Sequence, residues 1–179
     1  MNRKPAIISL KKYVLTSQEK YILKSEKPWG VILFKRNIKS YDQLKNLTKN
    51  IRQCIKDPFY PIFIDEEGGM VSRLSHLLNS KEFSQKFFGD LYEKNKKNGK
   101  FIYNYYLNSI CSVLRNVGIN INTIPVMDIS QDKTNKIIGS RSFSKNIKIV
   151  KSLGSICINI LKKNKIASVA KHIPGHGCA

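Results

Sequence analysis

The sequence predicts an α/β fold in which a parallel sheet is covered by helices. Three observations carry this. Short apolar runs alternate with helical patterns along the chain, the runs are apolar on both faces, and charged groups cluster just past their ends. Strands buried on both faces belong to parallel sheets. Polar groups past the strand ends mark the edge where such folds bind ligands. Two arrangements satisfy the pattern, an open doubly wound sheet and a closed barrel. No GxGxxG or GxxxxGKS/T segment follows any strand, which removes the usual signal of a nucleotide-binding sheet.

Pro5 to Leu10 is the first strand. Thr16 and Glu19 have the spacing of a capping box, and the helix they start ends near Lys27-Pro28. Gly30 to Phe34 (GVILF) is the second strand. Ser40 and Gln43 form another capping box, followed by Leu44, Leu47, Ile51 and Ile55 at helical spacing until Asp57-Pro58. Tyr60 to Ile64 is a strand running into Asp65. Ser80 to Gly99 is polar and Lys-rich, with Phe83, Phe87 and Phe88, and reads either as a loop or as a loop with a helical turn. Phe101, Tyr105, Ile110, Leu114 and Val117 mark a longer helix stopped by Gly118. Ile119 to Val126 is mostly extended. Ser144 caps a helix carrying Val150, Leu153, Ile156 and Ile160, and Ile166 to Ala170 is the last strand. The count is about five strands.

At 179 residues the chain has room for one domain with a real core. It falls short of the ~250 residues of a complete eight-stranded β/α barrel. Lys and Arg number 32 against 12 acidic residues, a formal charge of +20. Such an excess invites a nucleic-acid reading. The lysines are spread over nearly every segment, however, and no nucleic-acid-binding motif accompanies them. Solvated helix faces are therefore the favoured account. Cys54, Cys111, Cys157 and Cys178 lack CxxC spacing, and three fall in helical stretches as small apolar residues. The apolar run Ala6 to Leu10 is too short for a signal peptide, and no run approaches the ~20 residues of a membrane span. The expectation is a reduced, cytoplasmic protein with no membrane contact.

Polar residues follow three strands: Asp65-Glu66-Glu67-Gly68-Gly69, Asp128, and Lys171-His172. The two glycines after three carboxylates imply backbone packed against a ligand or a neighbouring loop. Taken alone, Asp65 reads as a catalytic carboxylate, and equally Glu66 and Glu67 read as partners of nearby Arg and Lys. Asp128 has no evident partner in the sequence. His172 and His176 have the four-residue spacing of a helical metal pair, but Pro174 and Gly175 between them disfavour a helix, and no metal site is assigned. Arg141 stands in a Gly/Ser-rich loop, where its planar fork suits carboxylates or sugar hydroxyls.

Taken in order, the segments GVILFKRNI (30–38), IDEEGGMVSRL (64–74), IPVMDI (124–129), IIGSRSF (137–143) and KHIPGHG (171–177) resemble the family 3 glycoside hydrolases. The nearest subgroup is the bacterial cytoplasmic β-N-acetylhexosaminidases of muropeptide recycling. The resemblance implies a (β/α)8 TIM-barrel type of fold, truncated after about five strands, with residues 1–179 as a single incomplete N-terminal barrel domain. It implies that Asp65, Arg73, Arg141, Lys171 and His172 bind a terminal N-acetylglucosamine, which makes Asp65 a substrate clamp, and that His176 supports the loop after it. Met70 and Ser140 depart from the family pattern and would loosen the charge network. Family enzymes are retaining glycosidases. Their acid/base and nucleophile are expected past Ala179, so no catalytic residue is assigned here. No cofactor is expected. The implied partner is an N-acetylglucosamine-containing saccharide or muropeptide, with no nucleic acid and with self-association through open sheet edges. The competing readings are a non-catalytic sugar-binding fragment or decayed gene product, and a basic nucleic-acid-binding protein.

Overall fold

The computed structural model describes residues 3–131 and 137–176. The elements run β1 (Lys4–Ser9), α1 (Ser17–Ser25), β2 (Pro28–Leu33), α2 (Tyr41–Ile55), β3 (Ile62–Ile64), α3 (Gln85–Lys94), α4 (Lys96–Asn116), β4 (Ile121–Asn122), α5 (Ile147–Lys163) and β5 (Ala167–Ser168). All strand pairings are parallel and the spatial order is β1-β2-β3-β4-β5. This order decides between the two arrangements left open above. A doubly wound sheet reverses its strand order at a switch point, whereas here every strand lies beside the next in sequence. With right-handed crossovers, such winding lays all the helices on one face and curls the sheet as a barrel does.

Local chemistry explains most boundaries. Thr16 Oγ1 accepts from the Glu19 amide at 3.2 Å, and Glu19 accepts from the Thr16 amide at 2.8 Å, closing the box that starts α1. At α2 the box closes on one side only. Ser40 accepts from the Gln43 amide. The Gln43 side chain instead accepts from Lys39 N and donates to the carbonyls of Tyr13 and Asn37, tying the helix start to the loop after β1. The helix expected from Ser144 begins at Asn146, whose side chain accepts from Lys148 N, while Ser144 Oγ accepts from Asn146 N.

The segment 80–99 contains a full helix. Ser84 caps α3, and Asn95 ends α3 and caps α4, which thus starts five residues before Phe101. The aromatic residues supply the reason. Phe88 packs on Tyr103 and Tyr106 of α4, with ring centroids 4.6 and 4.9 Å away. Gly89 lets α3 approach the Phe143 carbonyl so closely that a Cβ there would lie 1.7 Å from its oxygen.

The core sits between helices and sheet. Leu23, Leu44, Leu47, Ile51, Leu107, Leu114, Leu153 and Leu161 meet Val31, Leu33, Ile62 and Ile64, all essentially closed to solvent. Burying each such side chain contributes about 1.5–3 kcal/mol. Cys111 and Cys157 are buried in this layer and Cys54 is half-buried, all as free thiols; Cys178 lies outside the described residues. The two outer strands are less covered. Ile7 in β1 and Val169 just past β5 are 47% and 40% exposed. No described helix is long and apolar enough to cross a membrane.

Candidate functional site

The loops past β3, β4 and β5 meet at one end of the sheet. An isolated parallel bridge between Val126 and Lys171 extends the β4–β5 pairing beyond the two-residue strands. Met127 N donates to the Lys171 carbonyl at 2.5 Å and Lys171 N to the Pro125 carbonyl at 3.0 Å. These bonds carry the Lys171 side chain back over the end of β3.

Asp65 is the first residue past β3. Its Oδ2 accepts from Arg73 Nη2 at 2.8 Å, and its Oδ1 accepts from Thr123 Oγ1 at 2.7 Å and from Lys171 Nζ. The Arg73 guanidinium stacks 5.5 Å above the Phe34 ring. Side chains alternate along extended backbone, so Glu67 points the same way as Asp65 while Glu66 points away. Glu67 takes Arg141 through both carboxylate oxygens, at 2.8 and 2.9 Å, and Lys171 Nζ at 2.7 Å. Asp65, Arg73, Glu67, Arg141 and Lys171 thus form one continuous chain of ion pairs. The exposed Met70 takes no part in it, and Arg141 is fully engaged despite Ser140 beside it.

Glu66 does something different from the pairing considered for it. Among the described residues it meets no Lys or Arg side chain. One oxygen accepts from the amides of Arg73 and Leu74 and from Ser72 Oγ, the other from Ser80 Oγ. Asn122 holds its backbone on both sides. Glu66 is therefore the staple that folds the 66–80 loop. The glycines after it close on a neighbouring loop: at Gly68, φ is +84° and a Cβ would lie 2.2 Å from the Phe83 carbonyl oxygen.

Asp128, which had no evident partner, holds the last loop. Its Oδ2 meets His172 Nδ1 at 2.7 Å and accepts from His172 N at 3.1 Å, and its Oδ1 accepts from His176 N at 2.6 Å. The His172 and His176 rings lie 4.9 Å apart. The residues between them form no helix, and Gly177 lies outside the described residues.

Burial pushes the Asp65 carboxyl up, but the Lys171 ammonium, the Thr123 hydroxyl and Arg73 together outweigh it and hold the group below its usual value. Asp128 behaves alike: burial raises it, and the His172 ring with the His176 and His172 amides lower it further. Glu66 goes the other way, because burial exceeds the help of its four donors. The Glu67 carboxylate raises Arg141. The signs give a pH prediction. A carboxylate lowered on folding contributes stability that is present above its unfolded pKa, about 3.9 for Asp, and is lost as pH falls through the folded value. Glu66, raised on folding, contributes in the opposite sense, favouring the fold below its unfolded pKa and losing that contribution as pH rises through its folded value. Carboxyl ¹³C titration is expected to show Asp65 and Asp128 protonating last, below about pH 3.9, with Glu66 protonating before either. Asp65 or Asp128 titrating above Glu66 would contradict this arrangement.

The structure thus brings Asp65 into direct contact with Arg73 and Lys171, joins Arg141 to them through Glu67, and places the ring of His172, the residue after Lys171, against Asp128. The pairing with Arg and Lys weighed for Glu67 holds, but sequence reasoning did not show that it joins Arg141 to Lys171, and it missed Thr123 and the bond from Asp128 to His172. The signal available for Glu67 was the period of two from Asp65. An array of planar and point-charge donors alternating with carboxylates suits a polyhydroxylated ligand, whose hydroxyls both donate and accept.

The chain is similar to known proteins over almost its whole length. The model of the glycosyl hydrolase family 3 N-terminal domain matches residues 7–179. The chain is 30% identical over 177 residues to a beta-hexosaminidase of Thioalkalivibrio sulfidiphilus, covering 99% of this chain and 50% of that one. It is 32% identical over 171 residues to that of Hydrogenovibrio crunogenus, covering 96% and 47%. Among solved structures, native NagZ from Neisseria gonorrhoeae superposes with a TM-score of 0.88 at 28% identity, over 98% of this chain and 50% of that one. The same protein in complex with N-trifluoroacetyl-D-glucosamine gives a TM-score of 0.89 at 29% identity, over 98% and 50%. The chain spans about half the length of these relatives.

Proposed function

The chain belongs to family 3 of the glycosyl hydrolases, through its N-terminal domain, and from that premise we propose that its ion-paired rim holds a terminal N-acetylglucosamine unit. Asp65, Arg73, Arg141, Lys171 and His172 form the clamp. The observation that carries the reading is the continuous chain Arg73–Asp65–Lys171–Glu67–Arg141 at the end of the sheet where parallel β/α folds bind ligands. Support for the ligand class comes from the glucosamine derivative bound by the Neisseria gonorrhoeae relative.

In the whole enzyme this clamp orients the sugar while a nucleophile and an acid/base from the remainder of the barrel cleave the bond with retention. The activity we assign is a β-N-acetylhexosaminidase removing terminal β-linked N-acetylglucosamine from muropeptides in cytoplasmic peptidoglycan recycling, without a cofactor. Self-association through the outer edges of β1 and β5, where Ile7 and Val169 stand exposed, belongs to the same proposal.

The test is a titration of ¹⁵N-labelled residues 1–179 with N-acetylglucosamine, followed by NMR. The expected result is saturable shifts at Arg73, Arg141 and Lys171 that weaken at least tenfold in Asp65→Asn. Equal binding by the variant, or shifts confined to another face, would sink the assignment.

A further inference from the structure

We infer that Asp128 is a positioning residue of the clamp, fixing the His172 ring in the orientation and tautomer that present Nε2 to a sugar hydroxyl. The choice of a hydroxyl as the group met by Nε2 rests on the sugar-binding reading above. The control of the ring does not.

An ionised carboxylate only accepts hydrogen bonds. With Asp128 Oδ2 at 2.7 Å, the proton of a neutral His172 ring therefore sits on Nδ1. Nε2 is left as a bare acceptor, the tautomer of a ring being set by the bond its other nitrogen makes. The clamp needs such an acceptor. Arg73, Arg141 and Lys171 only donate, and Asp65 and Glu67 each already accept three bonds, leaving each carboxylate about one lone pair for a ligand. A sugar hydroxyl that receives a bond from one cation still has a proton to place, and Nε2 of His172 takes it.

Asp128 is itself held firmly enough for the role. Its side chain is 3% exposed. Its oxygens accept from the amides of His172 and His176, at both ends of the loop that carries the ring. Its carbonyl accepts from Ser142 Oγ at 2.6 Å. The hydrogen bonds from His172 and His176 outweigh burial and hold the Asp128 carboxyl below its usual value, ionised.

The alternative is that Asp128 only caps the loop amides. Asp128→Asn separates the two roles. Oδ2 carries both bonds to His172 and Oδ1 that of the His176 amide. An Asn whose NH2 group faces Nδ1 therefore donates to it and puts the ring proton on Nε2, as the same exchange in an Asp–His pair does. An Asn turned the other way keeps its oxygen on His172 and gives up the His176 amide, which shifts the His176 N–H signal. The readout is the ring ¹⁵N shifts of His172 in residues 1–179 at pH 8, with and without N-acetylglucosamine. The expected result is an Nδ1–H ring in the native chain and an Nε2–H ring in Asp128→Asn, with affinity for N-acetylglucosamine lowered about tenfold. The native chain is decisive by itself if the variant fails to fold, because a proton on Nε2 there overturns the inference. An unchanged tautomer in a folded variant whose His176 N–H signal is also unshifted overturns it too. A tautomer that switches in a chain binding no sugar supports the positioning role and removes the sugar reading instead.

Discussion

Residues 1–179 are expected to bind N-acetylglucosamine and to leave p-nitrophenyl N-acetyl-β-glucosaminide intact, with no release of p-nitrophenol above the buffer rate. Retaining hydrolysis needs two groups about 5 Å apart, one attacking the anomeric carbon and the other protonating the leaving oxygen. Every rim carboxylate among the described residues is committed elsewhere. Asp65 carries Arg73, Thr123 and Lys171; Glu67 carries Arg141 and Lys171; Glu66 is turned into the 66–80 loop; Asp128 holds His172 and His176. A carboxylate fixed by two cations is a weak nucleophile, and none of the four is set up as a proton donor. Enzymes of this kind raise rates by at least ~10⁶-fold, so the contrast with a control extended through the remainder of a family barrel is large. Turnover by residues 1–179 that disappears in Asp65→Ala would reverse the roles assigned here and make Asp65 the attacking group.

The largest expected effect on stability comes from Glu67. Its side chain is 1% exposed and neutralises Arg141 and Lys171, themselves only 12% and 16% exposed. Removing one member of a buried ion pair leaves the other charges uncompensated and costs about 3–5 kcal/mol. Domains of this size hold together by about 5–15 kcal/mol. Glu67→Gln keeps the size of the side chain and removes its charge, so it isolates the electrostatic part. The expected outcome is a loss of about 3 kcal/mol or more, seen as a fall of at least ~1 M in the urea midpoint. Adding Arg141→Met to that variant is expected to recover part of the loss, since it removes a stranded cation. A loss under about 1 kcal/mol would mean that water reaches the rim and does the work of Glu67, the ordinary behaviour of exposed pairs.

Much of the fold was legible because it is written in contacts between near neighbours in sequence. The capping box at Thr16 and Glu19 is realised in full, and the apolar spacing of Leu44, Leu47 and Ile51 faces the core. What escaped depends on distant partners. Gln43 accepts from Lys39 N instead of closing the box on Ser40 and donates to the Tyr13 carbonyl of the loop after β1, and α3 is specified by rings of α4 that a scan of Ser80 to Gly99 does not contain. The site divides in the same way. Asp65 and Lys171 announce themselves by following strands, but the partners of Glu67 include an arginine 74 residues further on, and Asp128 finds its histidine 44 residues away. No local pattern distinguishes Glu66, a loop staple, from Glu67, a buried hub, although they are adjacent and identical. Their difference arises from the direction in which each side chain leaves the loop past β3, Glu66 into the 66–80 loop and Glu67 toward Arg141 and Lys171.

The ion-paired rim also bears on the order in which the molecule is assembled. Every strand docks on the one made just before it, so the sheet grows unit by unit as the chain lengthens. The rim does not. Lys171 joins Asp65 across 106 residues and Arg141 joins Glu67 across 74. Until those cations arrive, a growing chain carries two acidic groups on one short extended segment, with Arg73 the nearest counter-charge at eight residues. Any shorter intermediate is therefore a sheet with an unneutralised anionic lip. Docking of the fifth strand ends that repulsion and creates the binding array in the same step. A ligand that engages the array stabilises only the finished state, by RT ln(1 + [L]/Kd). Its occupancy thus reports arrival of the fifth strand, and no form lacking that strand carries the full array.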